Sequence, residues 1–177
     1  LVELKTAVWQ TYGMTETITH IALRKMNGED ATDWFTPLPT VELANDERGC
    51  LSIHGPGIGV ENLLTNDLVN LQENGQFEIL GRNDHVINSG GIKLFPEKIE
   101  KKIGSLIQQP FYFKGIKDNV LGEKLVLVIE SNPFEENKKH QLIKKLREIL
   151  DRYEVPKEIF FQESFKRTLS GKIIRSK

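Results

Sequence analysis

The chain has 177 residues, a formal net charge of −1 and 38% hydrophobic content, enough apolar material for one good core or two small ones and too much for a disordered segment. Its single cysteine, Cys50, excludes an internal disulfide and a cysteine-based zinc cluster and suits a reducing compartment. No run approaches roughly 18 continuous apolar residues and no secretion signal opens the chain, so we expect a soluble cytoplasmic protein without membrane insertion.

The opening Leu1-Val2-Glu3-Leu4-Lys5 has no initiator methionine and runs straight into a strand-like stretch, from which we expect further residues upstream. Residues 6 to 12 read as an apolar strand that ends at Gly13 and delivers the polar set Thr15, Glu16, Thr17 and Thr19 to a site. Residues 27 to 37 read as a turn-rich loop packed by Trp34 and Phe35. Short β pieces follow at 41–44, 50–54, 63–65, 69–71 and 77–80. Their separators, Asn45-Asp46-Glu47-Arg48-Gly49, Gly55-Pro56-Gly57 and Glu73-Asn74-Gly75, are good turns. Short strands with polar turns predict a small antiparallel or barrel-like subdomain.

Past Asp84 the texture changes. Val86-Ile87-Asn88 leads into Ser89-Gly90-Gly91, and Pro96 suits the first position of a helix whose Ile99, Ile103, Leu106 and Ile107 recur at helical spacing. Strands are predicted at 111–116 and 125–129, then a helix over roughly 135–150 with Leu142, Leu146, Ile149 and Leu150 on one face, then a third strand at 159–161. This is an α+β domain of about 90 residues in which both helices cover one face of a three-stranded sheet. The charge changes sign at the same place: 13 acidic side chains stand against 5 basic ones through Asp84, and 12 against 19 beyond it. Two coincident changes define a domain boundary there, giving residues 1–83 and 84–177. The basic half suits a polyanionic ligand, but its lysines are interleaved with glutamates and no arginine-rich or aromatic-interleaved stripe is present, which argues against nucleic acid.

The four histidines, His20, His54, His85 and His140, are widely spaced and form no ligand motif, and neither a nucleophile elbow nor a complete phosphate-binding P-loop occurs. Ser89-Gly90-Gly91 fits two readings, a tight turn or the wall of a ligand channel. Asp67, after Thr65-Asn66, has the chemistry to bind a vicinal diol, or simply caps a turn. Arg82 offers a rigid fork of donors to a sugar or phosphate, and Glu16 beside Thr15 offers a carboxylate to a phosphate-bound metal. Lys172, after Ser170-Gly171, supplies a positive charge or is a solvated turn residue.

In this order, Tyr12-Gly13-Met14-Thr15-Glu16-Thr17, Thr65-Asn66-Asp67, Gly81-Arg82-Asn83-Asp84, Ser89-Gly90-Gly91, Pro96-Glu97-Lys98-Ile99-Glu100 and Ser170-Gly171-Lys172 resemble the motifs of the adenylate-forming acyl-CoA synthetase family. The resemblance spans essentially the whole chain. It implies that residues 1–83 are the end of a large AMP-binding domain and 84–177 a mobile C-terminal domain hinged at Asp84. It also implies an ATP-dependent acid–CoA ligase whose substrates are a small-molecule carboxylate, ATP and coenzyme A, with Mg2+ on the ATP. By the same resemblance Tyr12 lies along the adenine, Gly13 beside it belongs to the cofactor-binding set, and Asp67 and Arg82 hold the ribose. Thr15 contacts phosphate, Glu16 is associated with magnesium, Ser89, Gly90 and Gly91 line the coenzyme A channel, and Lys172 is the catalytic lysine of adenylation. The upstream phosphate loop of the family is absent, so this piece alone is expected to be inactive.

Within the family the wording of residues 12–22 and 87–91 looks most like the o-succinylbenzoate-CoA ligases of menaquinone synthesis. Other aryl- or fatty-acyl-CoA ligases, carrier-protein acylating enzymes and a noncatalytic nucleotide- or CoA-binding module are the alternatives, and oligomerisation is left open. Asn66 stands where the family commonly has glycine. Asparagine's tolerance of unusual turn dihedrals is expected to preserve the ribose contact.

Overall fold

A computed structural model describes residues 4–175, so the first three residues of the opening run lie outside the described residues. The chain divides into two compact units, one ending at Asp84 and the other beginning at His85.

The first unit is built from β1 (Trp9–Gly13), β2 (His20–Lys25), β3 (Thr36–Pro37), β4 (Glu42–Asn45), β5 (Cys50–Gly55), β6 (Val60–Leu71) and β7 (Phe77–Arg82). These form two antiparallel sheets, β1-β2-β3 and β4-β5-β6-β7, linked by a bridge between Phe35 and Phe77. Both sheets curl around one core of Tyr12, Ile21, Ala22, Phe35, Val41, Leu51, Ile53, Val60, Val69 and Phe77, a half-barrel. Phe35 and Phe77 stack with ring centroids 5.4 Å apart. Phe35 is thus a core residue joining two sheets, where the turn-rich stretch suggested a local loop plug. The pieces at 63–65 and 69–71 are one twelve-residue strand, β6. Its apolar alternation slips at the irregularity between Leu68 and Val69, which hides its continuity from periodicity. Cys50 is fully buried, and burial raises its thiol pKa, as expected of a packing thiol.

The second unit contains β8 (Ile87–Ser89), β9 (Ile92–Leu94), α1 (Pro96–Ile103), β10 (Phe111–Asp118), β11 (Gly122–Glu130), α2 (Glu136–Ile149) and β12 (Glu158–Gln162). The sheet order is β10-β11-β8-β9, with β12 pairing parallel to β11. The sheet therefore has five strands, because the hairpin β8-β9, too short to show a period, joins the three that the sequence predicts. Pro96 opens α1 as expected, but the helix stops at Ile103, so Leu106 and Ile107 reach the core from the turn after it.

Leu125, Leu127 and Ile129 of β11 point at the helices, packing with Ile99, Ile103, Leu146 and Leu150. The alternate residues Val126 and Val128 point the other way, against Tyr112, Phe165 and Ile173. Burial on both faces explains why 125–129 is an unbroken apolar run. The helices cover one face, and the C-terminal segment that bears Lys172 covers the other. Among the described residues no helix is long and apolar enough to cross a membrane.

Candidate functional site

In the first unit the sheets bring Tyr12, Asp67 and Arg82 together from three strands. Tyr12 is buried on β1, its ring set edge-on to Phe77 at 5.3 Å, and its hydroxyl donates to Asp67 Oδ2 at 2.7 Å. Asp67 on β6 pairs in register with Arg82 on β7, whose Nη1 lies 3.7 Å from Asp67 Oδ1. Arg82 Nε also donates to Asp84 Oδ1 at 3.2 Å, so one guanidinium lies between two carboxylates. Burial first, then the hydrogen bond and charge of Asp67, push the Tyr12 phenol far above its ordinary value and keep it a neutral donor. The outcome is a rigid carboxylate and a half-exposed guanidinium at the mouth of an aromatic core, suited to a sugar diol beside a flat ring.

The polar run after β1 folds into a single 3-10 turn, Thr15–Thr17, with Glu16 exposed and Thr17 buried. Thr17 Oγ1 accepts the Met14 N–H at 3.0 Å and lies 2.9 and 2.7 Å from the Met14 and Thr19 carbonyl oxygens, donating to one of them. Ile18 then takes φ 62° and ψ −39°, and Thr19 N–H reaches Thr17 O at 2.6 Å, a γ-turn centred on a β-branched residue. Such backbone persists only where neighbours over-determine it, and Thr17 does so here. Gly13 has a steric reason: a Cβ there would lie 2.6 Å from the Thr19 carbonyl oxygen and 2.8 Å from His20 Cα. Sequence reasoning counted Thr17 in the polar set delivered to a site but did not foresee that its hydroxyl braces the turn, and it passed over Ile18, for which no local signal stands in the sequence. Among the described residues no three His, Cys, Asp or Glu side chains converge as a metal cage. One exposed carboxylate fits a magnesium ion held mainly by phosphate oxygens and water.

Asn66 corrects one expectation. It lies within β6 and has no left-handed backbone, so the asparagine is not there for unusual dihedrals. Its side chain instead accepts from Arg48 Nη1 at 3.0 Å, while Arg48 Nη2 reaches the Thr65 carbonyl at 2.8 Å. Asp67 N–H in turn donates to Thr65 Oγ1 at 3.0 Å, so the strand around Asp67 is anchored from the Asp46–Arg48 turn.

In the second unit Ser89 pairs with Ile92, and Gly90 and Gly91 form the two-residue loop of the β8-β9 hairpin with φ 58° and 81°. This favours the tight-turn reading: both glycines are demanded by a left-handed hairpin loop. A Cβ on Gly91 would meet nothing within 4 Å, so the space in front of it is open. Lys172 sits on another tight turn, closed by the Arg167–Ile173 bridge and by Thr168 N–H to Lys172 O at 2.8 Å. Thr168 Oγ1 accepts the Lys172 N–H at 3.1 Å, and Gly171 takes φ 83°. The Lys172 side chain is exposed and has no ion pair among the described residues.

Two arginines flank that turn, and the sequence reading assigned neither a role. Arg175 holds Glu100 of α1 with both nitrogens, at 2.8 and 2.7 Å, and lies 3.7 Å from Glu97. Glu100 also accepts the N–H of Phe113 on edge strand β10 at 2.8 Å. On the other side Arg167 pairs with Glu130 at the end of β11, which accepts the Phe165 N–H at 2.6 Å. Glu97 and Glu100, three apart on α1, share one helix face, and that spacing was the available signal. Glu97 Oε1 contacts His85 Nδ1 at 2.5 Å, whereas its buried Oε2 has no hydrogen-bond partner among the described residues. Burial opposes ionisation of Glu97, but His85 and Arg175 hold its carboxyl below the ordinary range. For Glu100, burial wins over Arg175 and lifts the carboxyl.

No family model matches the chain. It is 30% identical over 118 residues to the 3-oxocholest-4-en-26-oate--CoA ligase of Rhodococcus rhodochrous, a match covering 64% of this chain and 21% of that one. The chain spans about one fifth of the length of such curated relatives. A solved acyl-CoA synthetase (AMP-forming)/AMP-acid ligase II-like protein from Dyadobacter fermentans is 40% identical, covering 97% of this chain and 50% of that one with a TM-score of 0.51. The o-succinylbenzoate coenzyme A synthetase of Bacillus subtilis, solved with ATP and magnesium, shares the fold at 22% identity. That match covers 94% of this chain and 40% of that one, with a TM-score of 0.72.

Proposed function

We propose, from the premise that the chain belongs to the AMP-binding/acyl-CoA synthetase superfamily, that it is the C-terminal portion of an ATP-dependent acid–CoA ligase working through an acyl-adenylate. The observation that carries this reading is the joined set Tyr12, Asp67 and Arg82, a diol-binding carboxylate and a guanidinium beside a buried aromatic ring.

In the first half-reaction a substrate carboxylate oxygen attacks the α-phosphorus of ATP, the bond to the β-phosphate oxygen breaks, and pyrophosphate leaves. Tyr12 lies along the adenine with Gly13 beside it, Asp67 and Arg82 hold the ribose, Thr15 contacts phosphate, and Glu16 would supply a carboxylate to the magnesium that arrives with the nucleotide. Lys172 offsets the charge that develops on the α-phosphoryl oxygens, an electrostatic role that needs a cation with no other partner. In the second half-reaction the coenzyme A sulfur attacks the acyl carbon, AMP leaves, and the thiol proton passes to solvent. The second unit turns about Asp84 between the two, withdrawing Lys172 and presenting the Ser89-Gly90-Gly91 hairpin to the pantetheine arm.

The wording of the motifs pointed to o-succinylbenzoate. The relatives near 30% identity carry the names of fatty-acid, steroid-acid and general acyl-CoA ligases, so the acid is widened from o-succinylbenzoate to include fatty and steroid acids beside other aryl acids. The test is a panel of aryl, fatty and steroid carboxylates, including o-succinylbenzoate, assayed with full-length protein, ATP and coenzyme A for release of AMP and pyrophosphate. Turnover of any of them with coenzyme A supports the ligase, and the preferred acid identifies the substrate. Nucleotide binding without AMP release from any of them refutes it in favour of a noncatalytic module.

A further inference from the structure

We propose that Arg167 and Arg175 are positioning residues: two guanidinium clips that fix the Lys172 turn to the sheet from both sides. This rests on the adenylation role given to Lys172 above.

Three observations carry it. The turn is clipped on either side of Lys172, by Arg167 to Glu130 and by Arg175 to Glu100, and each carboxylate is itself pinned by a backbone N–H, from Phe165 and Phe113 respectively. Neither clip includes Lys172, whose ammonium is left exposed. The Arg175–Glu100 clip also has a poor energetic rationale. Its carboxyl is lifted by burial despite a bidentate guanidinium, the sign of a pair whose desolvation offsets much of its attraction. A pair of that kind contributes geometry more than stability, because the guanidinium fork fixes direction as well as distance.

The consequence concerns the long lysine side chain. With a fixed backbone at both ends of the turn, only the side-chain torsions of Lys172 have to be ordered on meeting the α-phosphate. A turn free to swing would spread the ammonium over many positions and lower the fraction poised for reaction. Displacements near 1 Å at such a group cost up to about a hundredfold in rate.

The experiment compares Arg175→Gln, Arg167→Gln, Arg175→Lys and Lys172→Ala in full-length protein, measuring adenylation and thioester formation from supplied acyl-adenylate separately. Each glutamine variant should lower the adenylation kcat by about tenfold to a hundredfold. KM for ATP and thioester formation should stay within about twofold of the parent, and Arg175→Lys should recover part of the loss. In the 177-residue chain both glutamine variants should speed tryptic cleavage after Lys172. Arg167→Gln should do so with little change in the unfolding midpoint, whereas Arg175→Gln, which leaves the largely buried Glu100 without its guanidinium, should lower it as well. Equal loss in both half-reactions together with a lowered midpoint overturns the proposal in favour of a merely structural pair. Unchanged adenylation in both glutamine variants, with Lys172→Ala still defective, overturns the clips alone. Unchanged adenylation in Lys172→Ala overturns the role of Lys172 and the clips with it.

Discussion

The Tyr12–Asp67 hydrogen bond can be weighed by a double-mutant cycle. Tyr12→Phe removes the hydroxyl that donates to Asp67 Oδ2 at 2.7 Å and leaves the ring between Phe35 and Phe77. A hydrogen bond to a charged group contributes about 1.5–3 kcal/mol. The Asp67 side chain is 17% exposed and keeps Arg82 nearby, which places this bond at the lower end, about 1.5–2 kcal/mol. For a unit of this size that corresponds to a fall of about 6–16 °C in Tm. Both tryptophans, Trp9 and Trp34, belong to the first unit, so tryptophan fluorescence during urea unfolding reads it selectively. Combined with Asp67→Ala, the cycle should give a coupling of at least about 1 kcal/mol. Additive effects, with coupling under about 0.3 kcal/mol, would refute the claim that the two side chains act as a unit. A second readout follows from the phenol. Its folded pKa lies above the unfolded value of 10.0, so its contribution is fully present below pH 10.0 and is lost as pH rises toward the folded value. Tyr12→Phe should therefore flatten the alkaline fall in stability.

Three further outcomes are expected. Leu127→Ala, at a fully buried position facing the helices, should cost about 2–5 kcal/mol by circular dichroism in urea, and a loss under about 1 kcal/mol would mean that the core closes around the cavity. Gly91→Ala should cost about 1–2 kcal/mol from the left-handed backbone alone, with Gly91→Asn milder; equal stability of all three proteins would contradict the hairpin geometry. Glu97, held below its ordinary 4.5, contributes stability that is present above pH 4.5 and lost as pH falls through the lower folded value. Glu97→Gln should therefore show a shallower loss as pH falls below 4.5 in urea titrations, and an unchanged slope would remove the carboxylate from the acid response.

The fold was legible where period and punctuation agree. Pro96 with Ile99 and Ile103 announces α1, and the run 125–129 announces a strand, whereas the layer covering its second face lies some forty residues away and was not foreseen. What hid itself was non-local or compensated. β6 spans a slipped register, β8 and β9 are too short for any period, and Phe35 joins the core through a partner at Phe77. The candidate site was legible as residue types in order. The contact between Tyr12 and Asp67, 55 positions apart, is a product of sheet pairing that no spacing rule supplies. Glu100 stands in the Pro96–Glu100 motif, but nothing in one sequence pairs it with Arg175, 75 positions on. At Gly91, with φ 81°, a bulky side chain would strain the hairpin loop although the space in front of it is open.

Strand β11 sorts mutations by register. A substitution at 125, 127 or 129 acts on the helix-facing core and should appear as a protein that is scarce in the cell. One at 126 or 128 acts on a smaller core, disturbs the seat of Phe165 and Ile173, between which Lys172 is strung, and should lower abundance too while also loosening the segment to which the adenylation role is proposed. Neighbouring codons of one strand thus differ in whether turnover falls further than abundance does, and a deep mutational scan reading both together would show a two-residue beat along β11.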